Sequence, residues 1–304
     1  MHSPFDLDQP SAYRRWRDTK WASHPQRIED LVVELADPRC LRPVERDALL
    51  QRCALANMAI YRSPISVPDK AIARLLATQL GLHRLDGNWL ADEDGISRIT
   101  VAAAAEARGA FIPYTDRPIR WHTDGYYLAQ PARINAMLLH CVAPAASGGS
   151  NGLMDHEMAY IALREADPDA LRALMAGAAM TIPARLDEDG VARPAQAGPV
   201  FSVDPHSGML HMRYTARTRS VQWKDDPATG AATAFLAALL EGQSAHLFRV
   251  RLEAGMGIVC NNVLHDRSGF VDDPQRPRLL YRARYCDRID RGAPRPRGLV
   301  PGAA

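Results

Sequence analysis

The sequence predicts a mainly β fold with flanking helices, arranged as a double-stranded β-helix, or jelly-roll, barrel. Many short β-prone segments are spread over residues 58–285. The helical patterns are instead gathered at the start of the chain and in insertions between those segments. Separate short strands with helices confined to insertions are typical of a double-sheet β barrel.

The composition is that of an ordinary globular protein. Hydrophobic residues make up 47% and charged residues 24% of the 304 residues. A net charge of +2 gives no field strong enough to predict a nucleic-acid or membrane partner. We find no signal peptide or membrane-length apolar run, and the five cysteines show no CxxC spacing. These features predict a cytoplasmic protein and leave open a homo-oligomer.

Residues 1–57 are predicted to form an N-terminal helical arm. Ser11 could cap a helix that passes through Trp16 and Trp21, and Pro43 starts a second helix. Both patterns are amphipathic, so we expect packing helices without a chemical role.

Residues 58–290 are predicted to form the jelly-roll domain with its helical insertions. Met58–Tyr61 is a short β-prone run, and a helix from Pro68 ends at Gly81. A polar, glycine-bearing loop follows, and Ile96–Ala103 resumes as a strand.

The middle of this domain is predicted as a strand at Arg133–Val142 and a helical stretch at Asp155–Met175. His140 has apolar neighbours on both sides, which favours a packed core histidine over a metal ligand. Gly148-Gly149 marks a turn, and Asp167-Pro168 divides the helical stretch in two.

Residues Pro183–Pro199 are predicted to form a long excursion, either a lid over a site or a surface insertion. The remaining predictions are a helix at Ala228–Leu240 and strands at Met209–Tyr214, Thr218–Val221, Leu247–Leu252, Gly257–Cys260 and Arg278–Tyr285. Residues 291–304, rich in proline, glycine and arginine, are predicted to form a flexible tail.

The segment from Arg120 to Tyr127 carries the main candidate for chemistry. His122 and Asp124 are two residues apart in strand-like surroundings, where alternate side chains point the same way. A His-x-Asp pair supplies two members of the 2-His-1-carboxylate triad that holds non-haem iron(II). His265, which lies between two strands and 143 residues further on, is the strongest candidate for the third ligand.

Two arginines follow His265 in the run Arg278-Leu279-Leu280-Tyr281-Arg282. Arg278 and Arg282 share one face of a strand because their offset is even. Two arginines inside a barrel would be costly unless they met anions, and guanidinium groups bind carboxylates bidentately. A dicarboxylate co-substrate is therefore a natural partner, whereas on an edge strand both arginines would simply face solvent.

Taken together, the His-Thr-Asp triplet, the distal His265 and the two arginines resemble the TauD/TfdA (taurine dioxygenase-like) family of iron(II)- and 2-oxoglutarate-dependent dioxygenases, which have a cupin-like fold. The resemblance covers most of residues 58–286. It implies that His122, Asp124 and His265 hold Fe(II), and that Arg278 pairs with the distal carboxylate of 2-oxoglutarate. It also implies that Arg282 is the second family arginine, which touches the co-substrate or an acidic group of the substrate.

The resemblance extends to the reaction. It implies that O2 and 2-oxoglutarate are consumed and that a C–H bond is hydroxylated with release of succinate and CO2. Related halogenases have a small residue where Asp124 stands, so this carboxylate favours hydroxylation. Family members often carry threonine after the double glycine, where this chain has Asn151; its amide could still bind 2-oxoglutarate.

The substrate pocket is predicted around the first two ligands. Tyr114, Arg120 and Tyr126 flank them and are candidates for substrate contact, although packing is an equal alternative for each. Arg282, with Arg284 at the same strand parity, would suit a small anionic substrate.

Three other functions remain open for the same residues. A zinc hydrolase could use the His122, Asp124 and His265 cluster but would not explain the paired arginines. A noncatalytic jelly-roll binding module would bind no iron. A nucleic-acid demethylase is disfavoured by the near-neutral charge.

Overall fold

The computed structural model describes residues 3–87, 91–103, 106–187, 190–219 and 221–290. The predicted tail at 291–304 lies outside these residues. Within them the chain is mainly β with several helices. No described helix is both long enough and apolar enough to cross a membrane.

The α-helices are α1 (Pro10–Ser23), α2 (Pro43–Ala56), α3 (Ala71–Gln79), α4 (His156–Ala166), α5 (Pro168–Leu174) and α6 (Pro227–Glu241). Short 3-10 helices span Ile28–Leu31, Ala107–Ala110, Ile112–Tyr114 and Gln130–Ala132. The strands are β1 (Val32–Glu34), β2 (Met58–Arg62), β3 (Ser97–Ile99), β4 (Ile119–His122), β5 (Ala136–Ala143), β6 (Ser147–Gly148), β7 (Asn151–Met154), β8 (Met180–Ile182), β9 (Arg185–Asp187), β10 (Gly190–Arg193), β11 (Gln196–Gly198), β12 (Phe201–Val203), β13 (Leu210–Met212), β14 (Gln222–Trp223), β15 (Leu247–Val250), β16 (Met256–Cys260), β17 (Leu264–Arg267), β18 (Phe270–Val271) and β19 (Leu279–Tyr285).

Two larger sheets form the centre of the molecule. One has six strands in the order β1-β2-β16-β5-β19-β3, and the other has four in the order β15-β7-β17-β4. The pairs in both are antiparallel except for β1 with β2. In the described part of the chain they are separate hydrogen-bonded sheets.

The six-stranded sheet is apolar on both faces because its residues alternate between two cores. In β2, Met58 and Ile60 join a cluster that also holds Leu153 of the four-stranded sheet. Ala59 and Tyr61 join a second cluster with residues of α2 and α3. One face of the sheet therefore packs on the other sheet and the opposite face is covered by helices.

His140 lies on the helix-covered side, and the prediction that it is a packed core residue is confirmed. Its side chain is fully buried, with Nδ1 2.9 Å from the Tyr61 hydroxyl oxygen. Burial lowers the pKa of His140 to about 4, so the ring is neutral.

The first helix is fastened to the rest of the fold by a buried ion cluster. Lys20 of α1 places Nζ 2.6 Å from a carboxylate oxygen of Asp155 and 2.5 Å from one of Glu157. All three side chains are buried. Asp155 also caps α4 by accepting from the Glu157 N–H.

The N-terminal region differs from the predicted arm in one respect. Besides its helices it contains β1, which pairs in parallel with β2 at the edge of the six-stranded sheet. The run Val32-Val33 is too short to stand out in the sequence without its partner strand. The division at residue 57 stays a prediction.

Two predicted strands and the long excursion also differ. The strand predicted at Ile96–Ala103 is shorter in the structure, where it is β3. The strand predicted at Thr218–Val221 is wrong. Thr218 and Arg219 are exposed, and the strand forms at β14, where β8 supplies its hydrogen-bonding partner. Residues 183–199 contain the β9–β10 hairpin and β11, which also pairs with β8.

Candidate metal centre

The two histidines predicted as ligands lie directly opposite each other. His122 ends β4 and His265 lies in β17, and they are partners in the antiparallel register. Their ring centroids are 4.2 Å apart. The pairing of β4 with β17 thus brings together two histidines that are 143 residues apart in the sequence.

Asp124 reaches the same place through the turn that follows β4. Gly125 has φ 70°, and a Cβ there would lie 2.5 Å from the Ile134 side chain, so this turn requires glycine. The His122 Nε2 and Asp124 Oδ1 atoms are 3.8 Å apart. Ligand atoms of His122, Asp124 and His265 all lie within 4.8 Å of one another.

Hydrogen bonds orient both rings for metal binding. Nδ1 of His122 lies 2.9 Å from the Arg120 carbonyl oxygen, and Nδ1 of His265 lies 2.9 Å from that of Val263. A carbonyl oxygen only accepts, so each Nδ1 carries the proton and each Nε2 keeps its lone pair. Burial, followed by the neighbouring His265, lowers the pKa of His122 to about 3 and keeps its ring neutral.

The carboxylate completes a donor set that fits iron(II). Burial alone would raise the pKa of Asp124, but Arg282 and Arg284 outweigh it and hold the pKa below its usual range. Oδ2 of Asp124 is buried and has no hydrogen-bond partner among the described residues. Two neutral imidazoles and one ionised carboxylate form the 2-His-1-carboxylate set, which leaves coordination positions open.

A cavity of about 480 Å³, including its solvent-filled mouth, opens beside these residues. Its wall includes His122 and His265 from one sheet and Leu139, Leu280 and Arg282 from the other. The candidate metal centre therefore faces the space between the two sheets.

Arg278 and Asn151 line the same cavity and present unpaired donors. Arg278 is 5% exposed, and no carboxylate oxygen of the described residues lies within ion-pair distance of its guanidinium group. Nδ2 of Asn151 is buried without a hydrogen-bond partner in the described structure. Burial lowers the pKa of Arg278, which is the cost of holding this cation without a counter-charge.

The two arginines of β19, Arg282 and Arg284, differ in what they contact. Arg282 lines the cavity, and its Nη1 lies 3.6 Å from Asp124 Oδ1. Arg284 is paired with Asp86 and donates to the Tyr127 hydroxyl oxygen at 3.0 Å. Arg284 therefore already has a counter-charge within the protein, and the anion-binding role suggested for it stays a prediction.

The predicted substrate residues are placed unequally. The Tyr126 ring is 6.5 Å from the His122 ring, beside the candidate centre. The Arg120 side chain is exposed, and its carbonyl oxygen is the group that contacts His122. Tyr114 is 1% exposed and packs in the core between the sheets, which favours packing, and its contact with substrate stays a prediction.

The model of the taurine catabolism dioxygenase TauD, TfdA family matches residues 33–284. The chain belongs to this family. It is accordingly an oxidoreductase, a dioxygenase that depends on Fe(II), 2-oxoglutarate and O2. The candidates for holding the iron are His122, Asp124 and His265. The candidates for binding the co-substrate are Arg278 and Asn151.

Two curated relatives carry the name uridine-5'-phosphate dioxygenase. One, from an Amycolatopsis species, is 35% identical over 284 residues, covering 86% of this chain and 98% of the relative. The other, from a Streptomyces species, is 34% identical over 201 residues, covering 62% of this chain and 69% of the relative.

Solved structures of non-haem iron oxygenases share the fold. OrfP in complex with Fe, succinate and (3S)-hydroxy-L-Arg aligns with a TM-score of 0.60 at 15% identity, over 81% of each chain. Asparagine oxygenase in complex with Fe(II), hydroxyasparagine and succinate aligns with a TM-score of 0.57 at 14% identity, over 84% of this chain and 93% of that one.

Two residues at the candidate metal centre were not predicted from the sequence. Asn262 holds the backbone of Asp124, and Arg267 lines the cavity two residues after His265. Arg267 has the same strand parity as His265, a signal that could have found it. Asn262 gave no such signal because its partner is 138 residues away.

Proposed function

We propose that this dioxygenase hydroxylates a C–H bond of a small anionic molecule, with His122, Asp124 and His265 as the iron ligands. Arg278, with Asn151, binds 2-oxoglutarate in this proposal, and Arg282 lies between co-substrate and substrate. The observation that carries it is the cavity that both histidines and the buried Arg278 line, with a ligand atom of Asp124 within 4.8 Å of those of the two histidines.

The protein's own residues prepare the reaction. Bound iron(II) and 2-oxoglutarate would supply the electrons that activate O2 for oxidation of the substrate. The Arg120 and Val263 carbonyl oxygens keep the ring protons on Nδ1, so that both Nε2 atoms stay free to bind. Arg278 would bind the distal carboxylate of 2-oxoglutarate, so that the keto acid end would be free to reach the metal donors. Tyr126 flanks His122 and borders the substrate's approach.

The charge of the cavity supports an anionic substrate. Its lining includes Arg267, Arg278 and Arg282. Asp266 also lines the cavity, but its carboxylate pairs with Arg249 and accepts a hydrogen bond from the Gly152 N–H. Asp124 lies beside the cavity, where its carboxylate is 3.6 Å from Arg282. Iron(II) and 2-oxoglutarate add opposite double charges, so the loaded site keeps an excess of positive charge.

The names of the two relatives point to a specific anion. Both are called uridine-5'-phosphate dioxygenases, and one is matched along nearly its whole length. We infer a nucleoside 5'-phosphate, with uridine 5'-phosphate as the first candidate. Arg282 and the residues around Tyr126 are the groups that would receive it.

The finer architecture belongs to the same proposal. We infer that the two sheets are the halves of a jelly-roll barrel in a domain spanning 58–290, with 1–57 as an arm, because the apolar core and the cavity lie between them. The five unpaired thiols support a cytoplasmic location.

The anaerobic visible spectrum on adding Fe(II) and 2-oxoglutarate tests the site. We expect a metal-to-ligand charge-transfer band that is lost in His122→Ala and retained in Arg14→Gln, a matched change at an exposed position of α1. A band of full strength in His122→Ala would refute the ligand assignment. No band with the native protein would instead favour a zinc hydrolase or a binding module.

Succinate formation tests the substrate class. We expect uridine 5'-phosphate to stimulate it more than uridine, and anionic compounds more than cationic or neutral ones. Stimulation by uridine equal to that by its phosphate would contradict the anionic assignment.

A further inference from the structure

Two arginine side chains of the cavity lie against the ring of Phe270. The Arg267 guanidinium carbon is 4.8 Å from the ring centroid, and that of Arg278 is 4.9 Å from it. All three residues are less than a tenth exposed. Contact of a buried cation with an aromatic face is favourable, and here one ring serves two cations.

Arg267 is a fixed member of this stack. Its Nη2 donates to the carbonyl oxygens of Thr115 at 2.7 Å and Arg117 at 2.5 Å, and Nη1 donates to that of Pro113 at 3.4 Å. These partners are neutral, so Arg267 holds the 113–117 segment in place without losing its charge to a carboxylate.

Phe270 is also held from its backbone. Its N–H donates to the Asp116 carbonyl oxygen at 3.1 Å, and the residue pairs with Gly148. The ring therefore has a position set by the segment that Arg267 fastens and by the double-glycine turn.

Arg278 has less support of its own. Its backbone N–H donates to Asp272 Oδ1 at 2.7 Å, but its guanidinium group has no carboxylate partner among the described residues. The ring of Phe270 is thus a main contact that determines where this group points. The nearby charge of Arg267 also opposes burial of Arg278 unless an anion arrives.

We propose that Arg267 and Phe270 are positioning residues that aim Arg278 at the distal carboxylate of the co-substrate, and so make the enzyme selective for a dicarboxylate. The proposal rests on the role given to Arg278 in the proposed function. The two residues contribute no atom to the metal centre, and they act on one end of 2-oxoglutarate only.

Pyruvate is the probe that separates the two ends. It has the keto acid group of 2-oxoglutarate but lacks the distal carboxylate. Anaerobic titration of the charge-transfer band in the Fe(II)-loaded full chain gives a Kd for each compound. We expect Phe270→Leu and Arg267→Gln to weaken 2-oxoglutarate binding by about 5- to 30-fold, the size of a buried cation–π contact. The Kd of pyruvate and that of Fe(II) should stay within about twofold of native values, the ordinary scatter for untouched contacts.

Phe270→Tyr is the matched rescue, because it keeps the aromatic face, and it should bind 2-oxoglutarate like the native protein. If Arg267→Gln fails to fold, the Leu and Tyr variants at residue 270 decide the question alone. Equal weakening of pyruvate and 2-oxoglutarate, or no weakening of either, would overturn the proposal. Arg278→Gln separates this failure from a wider one: if it leaves 2-oxoglutarate affinity unchanged, the role of Arg278 itself is wrong.

Discussion

The side-chain amide of Asn262 holds the backbone of Asp124 at two points. Its Oδ1 accepts from the Asp124 N–H at 2.7 Å, and its Nδ2 donates to the Asp124 carbonyl oxygen at 2.9 Å. Nδ2 also donates to the Ile134 carbonyl oxygen at 2.8 Å. Asn262 precedes His265 by three residues, so one short segment supplies a candidate ligand and fixes the turn that carries another.

Asn262→Asp should weaken iron binding. The change replaces the donating amide with an oxygen that would face two carbonyl oxygens, and it displaces the Asp124 turn. We expect a loss of iron affinity of about 10- to 100-fold, the usual effect of disturbing groups that orient metal ligands. Competition with a chelator measures it.

Asn261→Asp is the matched control for that change. Asn261 is also a buried asparagine, but it bonds Asn57 and the backbone of Ile289 rather than Asp124. Similar iron affinities in the two variants would show that Asn262 acts through general stability alone.

Asn151→Ala should lower the affinity for 2-oxoglutarate. Its unpaired Nδ2 faces the cavity, and losing one hydrogen bond of about 1 kcal/mol raises the Kd about fivefold. Asn151→Thr should recover part of the loss, and Ser150→Ala should change little. Titration of the charge-transfer band provides the measurement, and unchanged affinity in Asn151→Ala would remove this residue from the co-substrate site.

Gly148→Ala should destabilise the protein by about 2 kcal/mol or more. Gly148 has φ 72°, and a Cβ there would lie 2.3 Å from the Gly269 carbonyl oxygen. Gly230 in α6 has open space around it, so Gly230→Ala should instead stabilise the helix by about 1 kcal/mol. Denaturant unfolding compares the two, and equal effects would contradict the reason given for the Gly148 turn.

Because His140 is buried as a neutral ring, the folded protein should lose stability in acid. The pKa of His140 is about 4 in the folded protein, against an ordinary value of 6.5. Below pH 6.5 the unfolded chain therefore binds a proton at this residue that the folded chain does not bind. Stability therefore falls as the pH drops from 6.5 to 4, by up to about 3 kcal/mol, and this loss levels off below pH 4.

His140→Gln removes the titrating ring. The difference in unfolding free energy between the native protein and this variant should shrink as the pH falls across that window. A difference independent of pH between 4 and 7 would show that His140 is not protonated on unfolding there.

The sequence predicted those parts of the site that depend on local spacing. The even offset between Arg278 and Arg282 predicted that both share one face, and both line the cavity. His265 was also identified from the sequence. Asp124 was expected on the strand with His122, but it follows the end of β4 and reaches the site through a turn. The pairing of Arg284 with Asp86 could not be foreseen, because the two residues are 198 positions apart. The burial of Tyr114 could not be foreseen either, because proximity in sequence to His122 says nothing about which residues cover the ring in the core.

The buried pair of carboxylates at the start of α4 has a consequence for how the protein can be altered. Lys20 pairs with both Asp155 and Glu157, and it comes from α1, more than 130 positions earlier. A variant shortened past residue 20 would leave two negative charges facing each other away from water. Trimming of the amino-terminal region should therefore stop before this helix, and affinity tags or fusion partners are best joined ahead of Pro10.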